Sequence, residues 1–117
     1  MSYNAGTHLI ATLYTGSSTL LERYAAFQEL VNTLIEQHQL QKLGEVYHDF
    51  QPAGYTAVVC LSESHLSVHT WPEYGKLNID IYLSNYLRNN DGTVRAIYKA
   101  IVDHFGARIE DEQIIRR

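Results

Sequence analysis

From Leu77 to Leu83 apolar and polar residues alternate without a break, with Leu77, Ile79, Ile81 and Leu83 on one side and Asn78, Asp80 and Tyr82 on the other. A period of two marks a strand with one buried face, so the chain must build a sheet and something to cover its apolar side. Two segments can supply the cover. Leu20, Tyr24, Phe27, Val31, Leu34 and Ile35 recur at helical intervals behind Thr19 and Glu22, which have capping-box spacing. That helix is expected to fade over Gln39–Leu43, with Gly44 as a stop or bulge. Val94, Ile97, Tyr98, Ile101, Val102 and Phe105 form a second helical stripe, closed by Gly106.

Other segments read as strands. His8–Tyr14 is a short apolar run, Val46–Phe50 precedes the breakers Pro52 and Gly54, and Thr56–Leu61 is β-branched and apolar. In Ser64–Trp71, Leu66 and Val68 point to the core while His65, Ser67, His69 and Trp71 share the opposite face. Pro72–Gly75 reads as a turn, Asn89–Gly92 as a loop, and a last strand starts at Ala107. The order is strand, helix, four strands, helix, strand. It predicts an α+β fold, a two-layer sandwich of a mainly antiparallel sheet with two helices on one face. The uncovered sheet face carries His65, His69 and Trp71 and is expected to meet a ligand or another subunit.

Composition narrows the function classes. At 117 residues, 45% apolar and 19% charged, the chain reads as one ordinary globular domain spanning 1–117. Net charge is −4 with scattered basic residues, so nucleic acid is not an expected partner. No apolar run approaches the roughly 20 residues that span a bilayer, and Met1–Thr7 lacks a signal-peptide pattern. The single cysteine, Cys60, fits a reducing compartment. A cytoplasmic protein with no membrane contact is expected. Nine tyrosines add side chains suited to sites and interfaces.

The chemically dense stretch is Leu61–Asp80, LSESHLSVHTWPEYGKLNID. Its bland reading is a polar strand on an amphipathic sheet. A metal site is disfavoured, because His65 and His69 lie roughly 13 Å apart along a strand. They would need partners such as His8 or His48, which nothing in the sequence singles out, and no metal is expected. A serine hydrolase is equally poor, since no G-x-S-x-G elbow exists around Ser64.

The run Glu63–Gly75, ESHLSVHTWPEYG, resembles the signature of the short prokaryotic S-adenosylmethionine decarboxylase proenzymes, which use a pyruvoyl group. Gly6 with His8–Tyr14 resembles that family's opening strand, and Tyr47–Phe50 with Pro52 and Gly54 resembles its next patch. The resemblance implies that the Ser64 hydroxyl attacks the carbonyl of Glu63, turning peptide into ester. Elimination and hydrolysis then leave a pyruvoyl cofactor at position 64. Such a carbonyl forms a Schiff base with a substrate amine and takes up electrons as CO₂ departs. By position the resemblance gives Thr56 and His69 the hydroxyl and base of processing, Phe50 the aromatic stacked on adenine, and Glu73 the carboxylate on the ribose. His65 and Trp71 are further candidates for substrate binding. Core packing for Phe50 and a solvated turn for Glu73 are the plain structural alternatives.

Four positions depart from the pattern, one of them Thr56, which replaces the family's usual serine but keeps a hydroxyl. Ser84 stands where the family has a cysteine as proton donor, and a hydroxyl is a far weaker acid than a thiol of pKa about 8.5. Asn85 replaces a glycine, and Thr12 replaces an acidic residue of the first strand. The leading expectation is a self-processing decarboxylase of S-adenosylmethionine serving spermidine synthesis, working as a homodimer with shared sites. The alternatives are a pyruvoyl decarboxylase of arginine or ornithine, and an uncleaved homologue that acts as a binding or regulatory partner.

Overall fold

A computed structural model describes residues 3–117; Met1 and Ser2, which begin the segment read as lacking a leader, lie outside the described residues. The strands are β1 (Thr7–Tyr14), β2 (Lys42–Asp49), β3 (Tyr55–Leu61), β4 (Ser64–Trp71), β5 (Lys76–Leu83) and β6 (Arg108–Arg116). They form one sheet in the order β2-β3-β4-β5-β1-β6, and every neighbouring pair is antiparallel. The helices are α1 (Ser18–Glu22), α2 (Ala25–Gln37) and α3 (Asp91–Phe105). The two-layer α+β sandwich expected from the alternating patterns is the observed architecture. No helix among the described residues is long and apolar enough to cross a membrane.

The period-two reading holds in the packing. Leu77, Ile79, Ile81 and Leu83 of β5 are buried with Leu66 and Val68 of β4 and Tyr55, Ala57, Val59 and Leu61 of β3. Phe27, Val31 and Leu34 of α2, with Val94, Ile97, Ile101 and Phe105 of α3, join the same core. A slip of one residue in any strand would send its apolar set to the other face, so register is strongly fixed. Register shifts between Lys42 and Gly44, which leaves Leu43 without a partner and puts Gly44 at the edge of a bulge rather than at the helix stop. The stop falls at Gln39, a non-glycine residue in the left-handed region (φ 54°), behind which the Leu40 amide donates to the Ile35 carbonyl.

One helix reading needs correction. The stripe from Thr19 is not a single helix, because Arg23 is extended (φ −136°, ψ 144°) and separates α1 from α2. Thr19 lies inside α1, and no side-chain cap is made at its start, so the capping box does not form. Tertiary partners outbid helix continuation at this point. The Arg23 guanidinium donates to the carbonyls of Glu22, Phe50 and Pro52 at 3.0, 3.2 and 2.9 Å. The Gly54 amide takes the Glu22 carbonyl at 3.0 Å, and the Asp49 carboxylate accepts from the Tyr24 amide at 2.9 Å. Asp49 thus caps α2 from the end of β2. Asp49→Ala is expected to cost about 1 kcal/mol of stability, read as a lower urea midpoint with an unchanged slope.

Candidate active site

β3 and β4 form a tight hairpin in which Leu61 pairs with Ser64 and only Ser62 and Glu63 make the turn. The turn ends under strain. Ser64 has φ 134°, a region that side chains rarely occupy. The Ser84 amide, just past β5, donates to the Glu63 carbonyl at 2.8 Å. A backbone N–H therefore already points at the oxygen that would gain negative charge if the Glu63–Ser64 peptide were attacked.

The attacking side is equally specific. The Ser64 hydroxyl lies 3.2 Å from His65 Nδ1, and His65 Nε2 lies 3.0 Å from Asp80 Oδ1. The same carboxylate oxygen meets His8 Nε2 at 2.7 Å, while His8 Nδ1 accepts from the Arg117 guanidinium at 3.3 Å. Arg can only donate, so His8 carries its proton on Nε2. Asp80 can only accept, so His65 Nε2–H faces it and leaves the Nδ1 lone pair for Ser64. The arrangement follows the logic of a serine nucleophile, a histidine base and an orienting acid, drawn from one strand and its neighbour. His8 Nε2, His65 Nε2 and Asp80 Oδ1 lie within 4.8 Å of one another and, among the described residues, are the donors grouped closely enough to hold an ion. With Arg117 on Nδ1, however, His8 offers Nε2–H rather than a lone pair, which suits a hydrogen-bonded relay better than a metal cage.

Loop residues fasten this end of the sheet. A Cβ on Gly6 would collide with the Leu83 carbonyl, so glycine lets β1 approach the start of the Ser84 loop. Asn85 is buried and makes use of its amide. It donates to the Ala5 carbonyl (2.9 Å) and to Asp91 (3.1 Å), and accepts from the Asn90 amide (2.7 Å). Asp91 also accepts from Thr7 Oγ1 and Arg116 at 2.6 and 2.9 Å. The hydrogen bonds from Thr7, Arg116 and Asn85 hold its carboxyl down at about 2.

The other candidates gather at the opposite end of the same open face. Thr56 Oγ1 sits 3.0 Å from His69 Nδ1, and His69 neighbours Trp71 (ring centroids 6.4 Å apart). Phe50 is exposed against His48, and Glu73 is exposed in the 3-10 turn Pro72–Tyr74. Ser64 and His69 are five residues apart on β4, roughly 17 Å along a strand. Within one chain the candidate set is therefore two half-sites: Glu63, Ser64, His65 and Ser84 at one end, and Phe50, Thr56, His69, Trp71 and Glu73 at the other. Between them lies a depression of about 320 Å³ that includes Thr12, Ser67, His69, Asn78, Asp80 and Asp111. Asp111 on β6 pairs directly with Thr12, so a carboxylate stands one strand away from the position at which the resemblance implies an acidic residue. Cys60 is exposed and pairs with His65, on the side of β4 away from Ser84.

Sequence reading passed over His8, Asp80 and Asp111 as site residues. The alternation of β5 placed Asp80 on the open face, but only strand pairing reveals which side chains share it.

Fold and geometry together define a two-layer α+β protein organised around a strained serine at the start of a hairpin strand. The family model described as S-adenosylmethionine decarboxylase matches residues 7–117, and the chain belongs to that family. An S-adenosylmethionine decarboxylase proenzyme of Archaeoglobus fulgidus is 42% identical over 77 residues, covering 66% of this chain and 69% of the relative. One from Picrophilus torridus is 36% identical over 101 residues, covering 86% and 78%. The crystal structure of the adenosylmethionine decarboxylase of Aquifex aeolicus superimposes with a TM-score of 0.86 at 31% identity, covering 99% of this chain and 92% of that one.

The Asp91 network carries a pH prediction. Its carboxyl titrates at about 2 when folded against 3.8 ordinarily, so the folded state binds fewer protons in between. The stabilisation is fully present above the ordinary value and is lost as pH falls through the folded one. Thermal unfolding of Asp91→Asn is expected to respond less to acidification over that window than the parent protein.

Proposed function

We propose that this chain is a self-processing S-adenosylmethionine decarboxylase that makes its pyruvoyl cofactor from Ser64. The observation that carries the reading is the Glu63–Ser64 peptide, strained on one side and hydrogen-bonded at its carbonyl on the other, with the Ser64 hydroxyl on His65. In the first step Oγ bonds to the Glu63 carbonyl carbon and the C–N bond breaks. The hydroxyl proton passes through His65 to the departing nitrogen, giving an ester and a free amine on the same serine. Loss of the Ser64 α-proton to His69, brought up by the second protomer, then breaks the Cβ–O bond and releases the Glu63 carboxylate. Water hydrolyses the residue that remains, ammonia leaves, and a ketone is left at position 64. Bound at that place, a pyruvoyl group supplies the electron sink for decarboxylation.

Substrate recognition falls to the open face. Asp80 and Asp111 give the central depression negative charge, which matches the sulfonium and ammonium groups of S-adenosylmethionine. Phe50 offers a ring for the adenine and Glu73 a carboxylate for the ribose hydroxyls. Both belong to the half-site far from Ser64, so one chain cannot wrap the substrate by itself. A two-fold homodimer that pairs open faces head to tail brings Thr56, His69, Phe50 and Glu73 of one protomer to Ser64 and Ser84 of its partner. The exposed apolar residues Val46, Val58 and Trp71 on that face favour such a cover.

Release of labelled CO₂ from carboxyl-labelled S-adenosylmethionine checks the activity, with Ser64→Ala expected to release none. Release from arginine or ornithine instead would move the assignment to those substrates, and no release from any of the three would leave a binding or regulatory role. Because a hydroxyl is a poor proton donor beside a thiol, Ser84→Cys is expected to raise turnover by about tenfold or more. The shared site makes its own prediction. Ser64→Ala and His69→Ala chains should each stay uncut alone, yet cut the His69→Ala chain when coexpressed, as mass spectrometry would read. Failure of that complementation would place each site within a single chain.

A further inference from the structure

Glu63 is a charged side chain in a two-residue turn, yet it is only 6% exposed. Carboxylates are almost never buried unless paired, and here the pairing is complete. Arg88 grips it through both ends of its fork, Nε to Oε1 at 3.1 Å and Nη2 to Oε2 at 3.0 Å. Asn90 adds Nδ2 to Oε1 at 2.8 Å. Burial pulls the carboxyl's pKa up, but the hydrogen bonds of Arg88 and Asn90 and the Arg88 charge outweigh it and hold it below its ordinary value. Glu63 therefore stays ionised and held.

The same two residues tie the turn to the frame. Asn90 Nδ2 also donates to the Ser84 carbonyl at 2.9 Å, and the Ser84 amide donates to the Glu63 carbonyl at 2.8 Å. A closed ring results, running from the Glu63 side chain through Asn90 and Ser84 back to the Glu63 backbone. Asn90 is 1% exposed. Arg88 Nη2 further donates to the carbonyls of His38 and Gln39 at 3.0 and 3.1 Å, past the end of α2. The side chain and the carbonyl of Glu63 are thus both fixed to the Ser84–Asn90 loop.

We infer that Arg88 and Asn90 are positioning residues for self-cleavage, which hold the Glu63 side chain and so aim its carbonyl carbon at the Ser64 hydroxyl. The inference rests on the reading of Ser64 as the cleaving residue. In the step concerned, the Oγ–C bond forms, the C–N bond breaks, and the hydroxyl proton ends on the Ser64 nitrogen, with no outside reagent. Attack needs the reacting atoms within about 3–3.5 Å and aligned, and a displacement of about 1 Å can cost a hundredfold. A two-residue turn with a free Glu63 side chain would not guarantee that aim. Arg88 and Asn90 touch no reacting atom themselves.

The test is a cleavage time course on freshly synthesised full chain, read by intact mass with and without hydroxylamine, which cuts the ester but not the peptide. Arg88→Ala is expected to cut about tenfold or more slower than wild type, with hydroxylamine-dependent cutting reduced equally. Arg88→Lys, which keeps the charge without the fork, should fall between them with an unchanged unfolding temperature. A wild-type rate in Arg88→Ala would overturn the proposal. So would wild-type cutting of Arg88→Ala on adding hydroxylamine, since the carbonyl would then be correctly aimed. If Arg88→Ala does not fold, a wild-type rate in Arg88→Lys or Asn90→Ala overturns it instead. A wild type that never cuts fails the Ser64 reading and this inference together, whereas the other outcomes strike the clamp alone.

Discussion

The hydrogen bond from the Ser84 amide to the Glu63 carbonyl joins two places that the sequence separates by two whole strands, β4 and β5. It ties the tip of the β3–β4 hairpin to the exit of β5, and most features around Ser64 depend on that tie. It fixes where the Glu63 carbonyl oxygen lies, so the strain at Ser64 has a direction instead of relaxing into an ordinary turn. It also makes the loop after β5 part of the reacting geometry. Gly6, which lets β1 approach Leu83 and Ser84, and Asn85, which fastens the loop to Asp91 and Ala5, both secure the donor.

Around this frame the chemistry divides between side chains and backbone. His65, oriented by Asp80, faces the hydroxyl, while a backbone amide faces the carbonyl oxygen. His8 reinforces Asp80 and is itself fixed by Arg117. The side chain at position 84 plays no part in this contact, because the donor at Glu63 is the Ser84 backbone. At the other end of the open face, Thr56 and His69 face no reacting bond of their own chain, which is the physical case for a second protomer.

Legibility in the sequence followed the range of the interactions. The strands from Leu77 to Leu83 and Ser64 to Trp71 were readable because period-two patterning is local and their apolar faces are buried throughout. The break at Arg23 was not, since its causes, Asp49, Phe50, Pro52 and Gly54, lie some thirty residues downstream. The resemblance pointed to Glu63 and Ser64 as the bond to examine, and the strand pattern put His65 and His69 on one face. The motif could not say that His65 rather than His69 contacts Ser64 within the chain, because that depends on the turn conformation at Ser64. Asp80 meets His65 only through the pairing of β4 with β5, and His8 and Asp111 join them through β1 with β5 and β6, and pairing is not written in any single segment.

The central claim is that this chain cuts itself at the Glu63–Ser64 bond, and intact mass spectrometry of freshly purified wild-type protein bears on it without any assumption about substrate. Two fragments are predicted, one ending at Glu63 and the other beginning with a pyruvoyl group at position 64. A single uncut mass that persists through long incubation would contradict it, leaving the strained hairpin without a reaction.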